Sequence, residues 1–268
     1  MVQDAIKNVG VYSFLFWRFL ISTIFICAIF YNKIKTFDKS SAINGFILGV
    51  LLFSGFATQT FGLAFTKSSI VAFITGLNVI IVPFASYLIF RDHVRKMVFL
   101  SSIMAIIGLY LLTMSGKLIM GLGEFLTIIC AVMFALHIVF TGKFSRKNNV
   151  FVLVFFQFLT VTILSLIFSL SLEEFTFNID FDFVFIKAVL VTAIFATVYA
   201  FMIQTYMQQF TTATKTAIIF TMEPVSASVF AYFAINEILT SVQFLGAFLI
   251  ICATLFAEIN FKNIKIFK

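Results

Sequence analysis

Two stretches of this chain limit its fold more than anything else: "FILGVLLFSGF" at residues 46–56 and "LGAFLIICATLFAEI" at residues 245–259 are apolar almost without a break. Neither alternates polar with apolar, so neither reads as a strand with one wet face, and a transmembrane barrel, which needs alternating segments of about ten residues, is excluded. A helix of roughly 18 or more apolar residues crosses about 30 Å of hydrocarbon. Of the 268 residues, 62% are hydrophobic, 11% are charged and 40 are Phe, which is more apolar surface than a water-soluble domain can cover. The sequence therefore predicts an all-α polytopic membrane protein.

Breaks of charge and polarity place helices over 11–31, 42–65, 69–90, 97–114, 121–142, 150–171, 183–208, 215–235 and 240–259, nine in all. Two prolines and twelve glycines leave no flexible linker, so one compact membrane unit is expected. The first apolar run is longer than the h-region of a signal peptide and has no clear cleavage site. Cys27, Cys130 and Cys252 lie inside apolar spans and form neither a disulfide framework nor a metal spacing.

The net charge of +7 reports topology, because the basic residues are not scattered. Lys33, Lys35, Lys39, Arg91, Arg95, Lys96, Lys143, Arg146, Lys147, Lys215, Lys262, Lys265 and Lys268 all fall on one side of the predicted spans. The other side holds Lys7, Lys67, Lys117 and Lys187 with the acidic stretch from Glu173 to Asp182. The Lys/Arg-rich side is cytoplasmic by the positive-inside rule, which puts the C-terminus inside and the N-terminus outside. No nucleic-acid partner is implied.

Shifted by 145 residues, 59–113 lies over 204–258 without a gap. Identical pairs include Gln59/Gln204, Thr60/Thr205, Phe65/Phe210, Thr66/Thr211, Tyr87/Tyr232 and Leu100/Leu245. The repeat unit is five helices, complete over spans five to nine, while spans one to four match the last four helices of another copy. An odd number of helices per unit inserts the two copies in opposite orientation, the inverted-repeat plan of many secondary transporters. The expected division is 1–116 for the first repeat, lacking its first helix, 117–260 for the second, and a cytoplasmic tail at 261–268. A start codon assigned too late or a true nine-helix variant (4+5) would each account for the missing helix.

The five-helix duplication, "FWRFLIST" in the first span, "GEFLTIICAVMFALHIVFTGKFSRK" opening the second unit, and the "A…MEP…NE…LGA" order of the last two helices resemble the EamA domain of the drug/metabolite transporter superfamily. The resemblance covers nearly the whole chain and implies a transporter, with export favoured. It also implies a proline about thirteen residues before an acidic residue at a helix end, matched by Pro224 and Glu237. In unit one Val79 stands at the proline position, Pro83 follows one turn later and Asp92 replaces the glutamate, so equal bending of the two halves does not follow.

Within the membrane, Glu223 stands out. An ionisable residue far from a helix end is costly there and marks a site by default. Its neighbour Pro224 donates no hydrogen bond and leaves the Phe220 carbonyl available, making a polar niche at a kink. A neutral Glu223 bonded to a neighbouring helix is the plainer alternative. Asn78 is its repeat mate, and the two could face one cavity. Gln59 and Gln204 could line that cavity or act as interhelical glue, and Thr75, Thr221 and Ser226 are weaker candidates. Arg18 lies about seven residues into the first span and could snorkel to the interface, pair with an acid or attract an anionic group, with snorkelling favoured. Trp17, Tyr12, Tyr87, Tyr199, Tyr206 and Tyr232 could stack on a solute or anchor at the interface. Glu124, Glu237 and Glu258 sit near span ends as solvated or capping groups, and a lone His137 is expected to bond a neighbour.

These residues predict a secondary transporter, most simply an exporter of small organic solutes such as amino acids, metabolites or drug-like compounds. Its partners would be the solute, the bilayer and H+ as a possible coupling ion. No nucleotide-phosphate loop occurs, so neither ATP nor another cofactor is expected. An intramembrane enzyme would need a nucleophile and base, for which Ser54 with His137 is a thin hint. A channel would need a selectivity loop that is not visible. The expected location is a bacterial cytoplasmic membrane.

Overall fold

The computed structural model describes residues 9–36, 38–92, 94–113, 120–173, 183–235 and 240–258. His93, Glu237, Lys7, Lys117, Lys262, Lys265, Lys268 and the acidic stretch after Glu173 lie outside them. The described residues are helical almost throughout and contain no strand. The helices are α1 (Val11–Ile34), α2 (Lys39–Phe65), α3 (Ser68–Gly76), α4 (Asn78–Phe90), α5 (Lys96–Thr113), α6 (Leu122–Phe144), α7 (Val150–Leu172), α8 (Phe183–Ala193), α9 (Ala200–Met207), α10 (Ala213–Phe220), α11 (Met222–Ile235) and α12 (Ser241–Glu258). A π-helical turn, Ile194–Tyr199, joins α8 to α9.

Among the described residues, seven helical stretches are long and apolar enough to cross a membrane: α1, α2, α3 with α4, α5, α6, α7, and Phe185–Met207. Ser241–Ala257 is a shorter apolar helix. A count of nine therefore depends on taking α12 and the broken pair α10–α11 as spans. Three spans that read as continuous in the sequence are interrupted: at Leu77, at the π turn and at Thr221.

Helix ends inside an apolar chain leave backbone N–H groups that need partners. Asp38 accepts from Ser41 N at 2.9 Å at the start of α2, and Asn149 accepts from Phe151 N at 3.0 Å at the start of α7. Glu124 reaches back to Gly121 N at 3.0 Å and takes the Thr66 hydroxyl, tying α6 to the end of α2. Glu173, at the end of α7, accepts from Tyr12 N and Ser13 N at 2.9 Å each, so one repeat caps the first described span of the other.

Packing follows the repeat. The mates α5 and α12 lie against each other, as do α4 and α10 from the two broken spans, and α1 packs on α7, its counterpart by order. Pairing of counterparts across a pseudo-two-fold axis is what an inverted repeat requires. The α5–α12 crossing is close enough that a Cβ on Gly246 would sit 2.6 Å from Gly108 O and 2.6 Å from Leu112 N, both backbone atoms, so only glycine fits. Helix α2 packs on α6 and α7, around an aromatic centre in which Phe19 and Phe158 are fully buried. There Phe19 meets Phe56 at 5.3 Å and Phe158 at 5.7 Å, and Phe201 closes on Phe56 at 5.9 Å.

Candidate functional site in the broken spans

The two interrupted counterparts break at nearly the same repeat position. Leu77 separates α3 from α4, and Thr221, one residue earlier in the repeat register, separates α10 from α11. At both joints the helix tightens to i→i−3 bonding: Leu77 N donates to Ile74 O at 3.1 Å, Ile80 N to Leu77 O at 3.0 Å, and Thr221 N to Ile218 O at 3.1 Å. In unit two the cause is local, because Pro224 has no N–H to give Phe220 and its ring crowds that carbonyl. In unit one Pro83 withdraws the partner of the Val79 carbonyl, and the break falls two residues upstream. The different proline register thus does not prevent both halves from breaking.

Asn78 and Glu223 occupy the first turn after each break. Each lies ten residues from the start of its span, about 15 Å at 1.5 Å per residue, half of a 30 Å hydrocarbon core. Asn78 is buried. Glu223 is exposed. Among the described residues the Glu223 carboxyl makes no hydrogen bond, so the bond to a neighbouring helix is not formed there. Pro224 follows it, half-buried, its carbonyl accepting from Ser228 Oγ at 2.8 Å.

The two glutamines part company. Gln59 Nε2 lies 3.5 Å from Thr75 Oγ1, beside the unit-one break, and that hydroxyl lies 3.8 Å from Cys130 Sγ. Gln204 instead donates to Gln208 Oε1 at 3.3 Å, and Gln208 Nε2 donates to Ile138 O at 3.0 Å. Gln204 is thereby fastened to α6 through Gln208 and away from its mate's role.

Arg18 does not snorkel. Its side chain is 7% exposed, with the guanidinium 4.4 Å over the Phe56 ring. Nε donates to Thr197 Oγ1 at 2.8 Å and Nη2 to Ala196 O at 3.3 Å. Both acceptors belong to the π-helical turn, where bonding shifts from i→i+4 to i→i+5. Ser22 Oγ, one turn along α1, donates to Ala193 O at 3.2 Å. The cation is buried because span seven presents a carbonyl and a hydroxyl at its π-helical turn opposite it; no sequence signal marked that turn.

The serine–histidine pairing considered for an enzyme is not formed. Ser54 Oγ donates to Val50 O at 2.9 Å in its own helix, while His137 Nε2 pairs with Gln157 Oε1 at 3.1 Å. Gln157 was not anticipated, although a buried amide in the middle of "VFFQFLT" was a readable signal. Nor was the role of Asp92 anticipated: it accepts from Lys143 Nζ at 2.7 Å and from Ser86 Oγ at 2.8 Å, joining the two repeats at their Lys/Arg-rich end. Partial desolvation raises the Asp92 pKa, but the bonds from Lys143 and Ser86 and the charges of Lys143 and Arg146 outweigh it and hold the carboxyl below its ordinary value.

An all-helical integral membrane protein, duplicated within one chain and broken at matching depths in its repeat-mate spans, has the architecture of transporters built from internal repeats. A sequence profile of the EamA-like transporter family matches residues 1–114 and 121–258. A relative from Archaeoglobus fulgidus, described as an uncharacterized transporter, is 32% identical over 260 residues, spanning 97% of this chain and 80% of its own. A solved crystal structure covering 96% of this chain and 90% of its own superposes with a TM-score of 0.79 at 14% identity, a likeness of fold. The chain belongs to the EamA-like transporter family.

Proposed function

We propose that this protein is a secondary exporter that moves a small organic solute across a cytoplasmic membrane by alternating access, with its C-terminus on the cytoplasmic side. The reading is carried by one observation: both repeat-mate spans break at mid-depth and place a polar residue, Asn78 or Glu223, in the first turn after the break. Discontinuous helices near the midplane supply polar backbone and side-chain groups where a solute can be held. In this reading Glu223 exchanges a proton or a substrate cation, Asn78 and Gln59 offer hydrogen bonds from the other repeat, and the halves, divided near residue 116, rock about them. Pro224 lets α11 swing, and Arg18 holds α1 to span seven as one body.

The test compares metabolites inside and outside cells that overproduce the wild type, Glu223→Gln or an empty vector, at equal membrane abundance. A compound enriched outside with the wild type alone supports export through Glu223. Equal enrichment with Glu223→Gln, at unchanged pH dependence, rejects the carboxyl as the coupling group. The family of transporters to which the chain belongs, and the separation of Ser54 from His137, weigh against an enzyme.

A further inference from the structure

We propose that the cavity at the Lys/Arg-rich end of the molecule is an anion site, shaped for a small molecule or headgroup bearing a carboxylate or phosphate. The cavity has a volume of about 420 Å³, inside the range of small-molecule pockets, roughly 300–1,000 Å³. Among the described residues its wall carries four cationic side chains, Arg95, Lys143, Arg146 and Lys215, against one carboxylate, Asp92. That carboxylate is engaged by Lys143 and Ser86 and lies within the field of Arg146, so it offsets at most one of the four positive charges.

A topology signal explains why cations lie at this end. It does not require four of them, from the segment before α5, the end of α6, the loop after it and α10, to converge on one concavity together with the hydroxyl-bearing residues Thr211, Thr212 and Thr214. Arg146 Nη2 donates to Thr211 O at 2.8 Å, which fixes the guanidinium at the rim and commits one of its five donors. A planar guanidinium so held suits a carboxylate or phosphate.

The remaining wall is apolar. Val98 and Val139 line the cavity and belong to a buried cluster with Val79, Ala217 and Ile218, which reaches to within a few residues of both helix breaks. Cations above a low-dielectric floor focus the field on the cavity and concentrate anions there. The floor also separates the cavity from Asn78 and Glu223, so an anion here waits outside the transport site. Because α4 and α5 come from one repeat and α6 and α10 from the other, occupancy is sensitive to how the repeats are arranged. The inference rests on the transport reading only in treating the cavity as the solute's way in.

Binding is measured without transport, which keeps the two readings separable. Purified protein in neutral detergent is unfolded thermally with citrate, with inorganic phosphate, or with sodium chloride at matched ionic strength. Citrate or phosphate should raise the midpoint to a plateau, chloride should not, and the response should vanish in an Arg95→Gln/Arg146→Gln variant and survive in Arg95→Lys/Arg146→Lys. Equal shifts from chloride, or an undiminished response in the Gln variant, would overturn the site. If the Gln variant does not fold, citrate should still slow phenylglyoxal modification of Arg95 and Arg146 in the wild type, read by mass spectrometry; no protection counts against the proposal. The same unfolding in phosphatidylcholine nanodiscs with and without phosphatidylglycerol identifies the source. Stabilisation by phosphatidylglycerol that abolishes the citrate response assigns the anion to a lipid headgroup, and a citrate response in both assigns it to a free solute.

Discussion

Replacing Arg18 by Lys should destabilise the protein more than replacing it by Met, although Lys keeps the charge. In the wild type the guanidinium reaches two acceptors on the π-helical turn, Thr197 Oγ1 at 2.8 Å and Ala196 O at 3.3 Å, while stacking on Phe56. A lysine ammonium cannot span both in the fork geometry, so Arg18→Lys forfeits at least one charge-assisted bond, worth about 1.5–3 kcal/mol. It still buries a full charge. Met loses both bonds and leaves the Ala196 carbonyl without its side-chain donor, a cost of about 1–3 kcal/mol. It also removes a cation whose placement in a membrane helix costs roughly 2.5–3.5 kcal/mol on insertion scales. Those terms nearly cancel, which leaves Met within about 1 kcal/mol of wild type. Thr197 loses less than Ala196 in either variant, since its hydroxyl also donates to Thr192 O at 2.9 Å. Equilibrium unfolding in mixed micelles should rank wild type and Arg18→Met together, with Arg18→Lys clearly below. Arg18→Lys matching the wild type while Arg18→Met falls by about 3 kcal/mol or more would refute the reasoning, because the charge itself would then have to be compensated.

Gly246→Ala places a methyl group 2.6 Å from two backbone atoms of α5, so α5 and α12 must separate; the expected loss is about 1–3 kcal/mol, read as a lower unfolding midpoint in detergent. The Asp92–Lys143 pair should stabilise the fold at neutral pH. Its carboxyl pKa is depressed in the folded state, so the contribution is present above the ordinary carboxylate pKa, near 4, and is lost as pH falls through the lower folded value. The Lys143 and Asp92 side chains are 35% and 43% exposed, which limits the gain to roughly 0.2–1 kcal/mol after solvent screening. Asp92→Asn should remove this acid-dependent component from unfolding curves, and high salt should shrink it in the wild type.

Much of the architecture was readable because hydrocarbon leaves the chain few options. An apolar run in lipid must satisfy its backbone internally, so α1, α2, α5, α6 and α7 begin and end within a few residues of where breaks in charge and polarity put them. The repeat was legible for a similar reason: polar and aromatic side chains such as Gln59, Thr66 and Tyr87 recur at 145-residue spacing against a background that otherwise tolerates any apolar residue. Glu223 and Pro224 stood out because each is expensive in a membrane helix. The break in unit one was harder to see, since Pro83 lies six residues beyond the joint it accompanies.

Sequence by itself determined that this chain is helical, membrane-embedded and duplicated, because composition, hydrophobic run length and self-similarity are one-dimensional properties that the bilayer converts directly into structure. Only the tertiary structure decided what the polar residues do. Gln59 and Gln204 are identical in sequence and equivalent in the repeat, yet one approaches Thr75 beside a helix break and the other turns to Gln208. Arg18 reads as a residue bound for the interface, yet a π-helical turn of span seven places a carbonyl and a hydroxyl opposite it. A buried polar group takes the nearest group able to satisfy it, and which group is nearest is set by helix packing across the two repeats, over separations such as the 179 residues between Arg18 and Thr197 that no local pattern encodes.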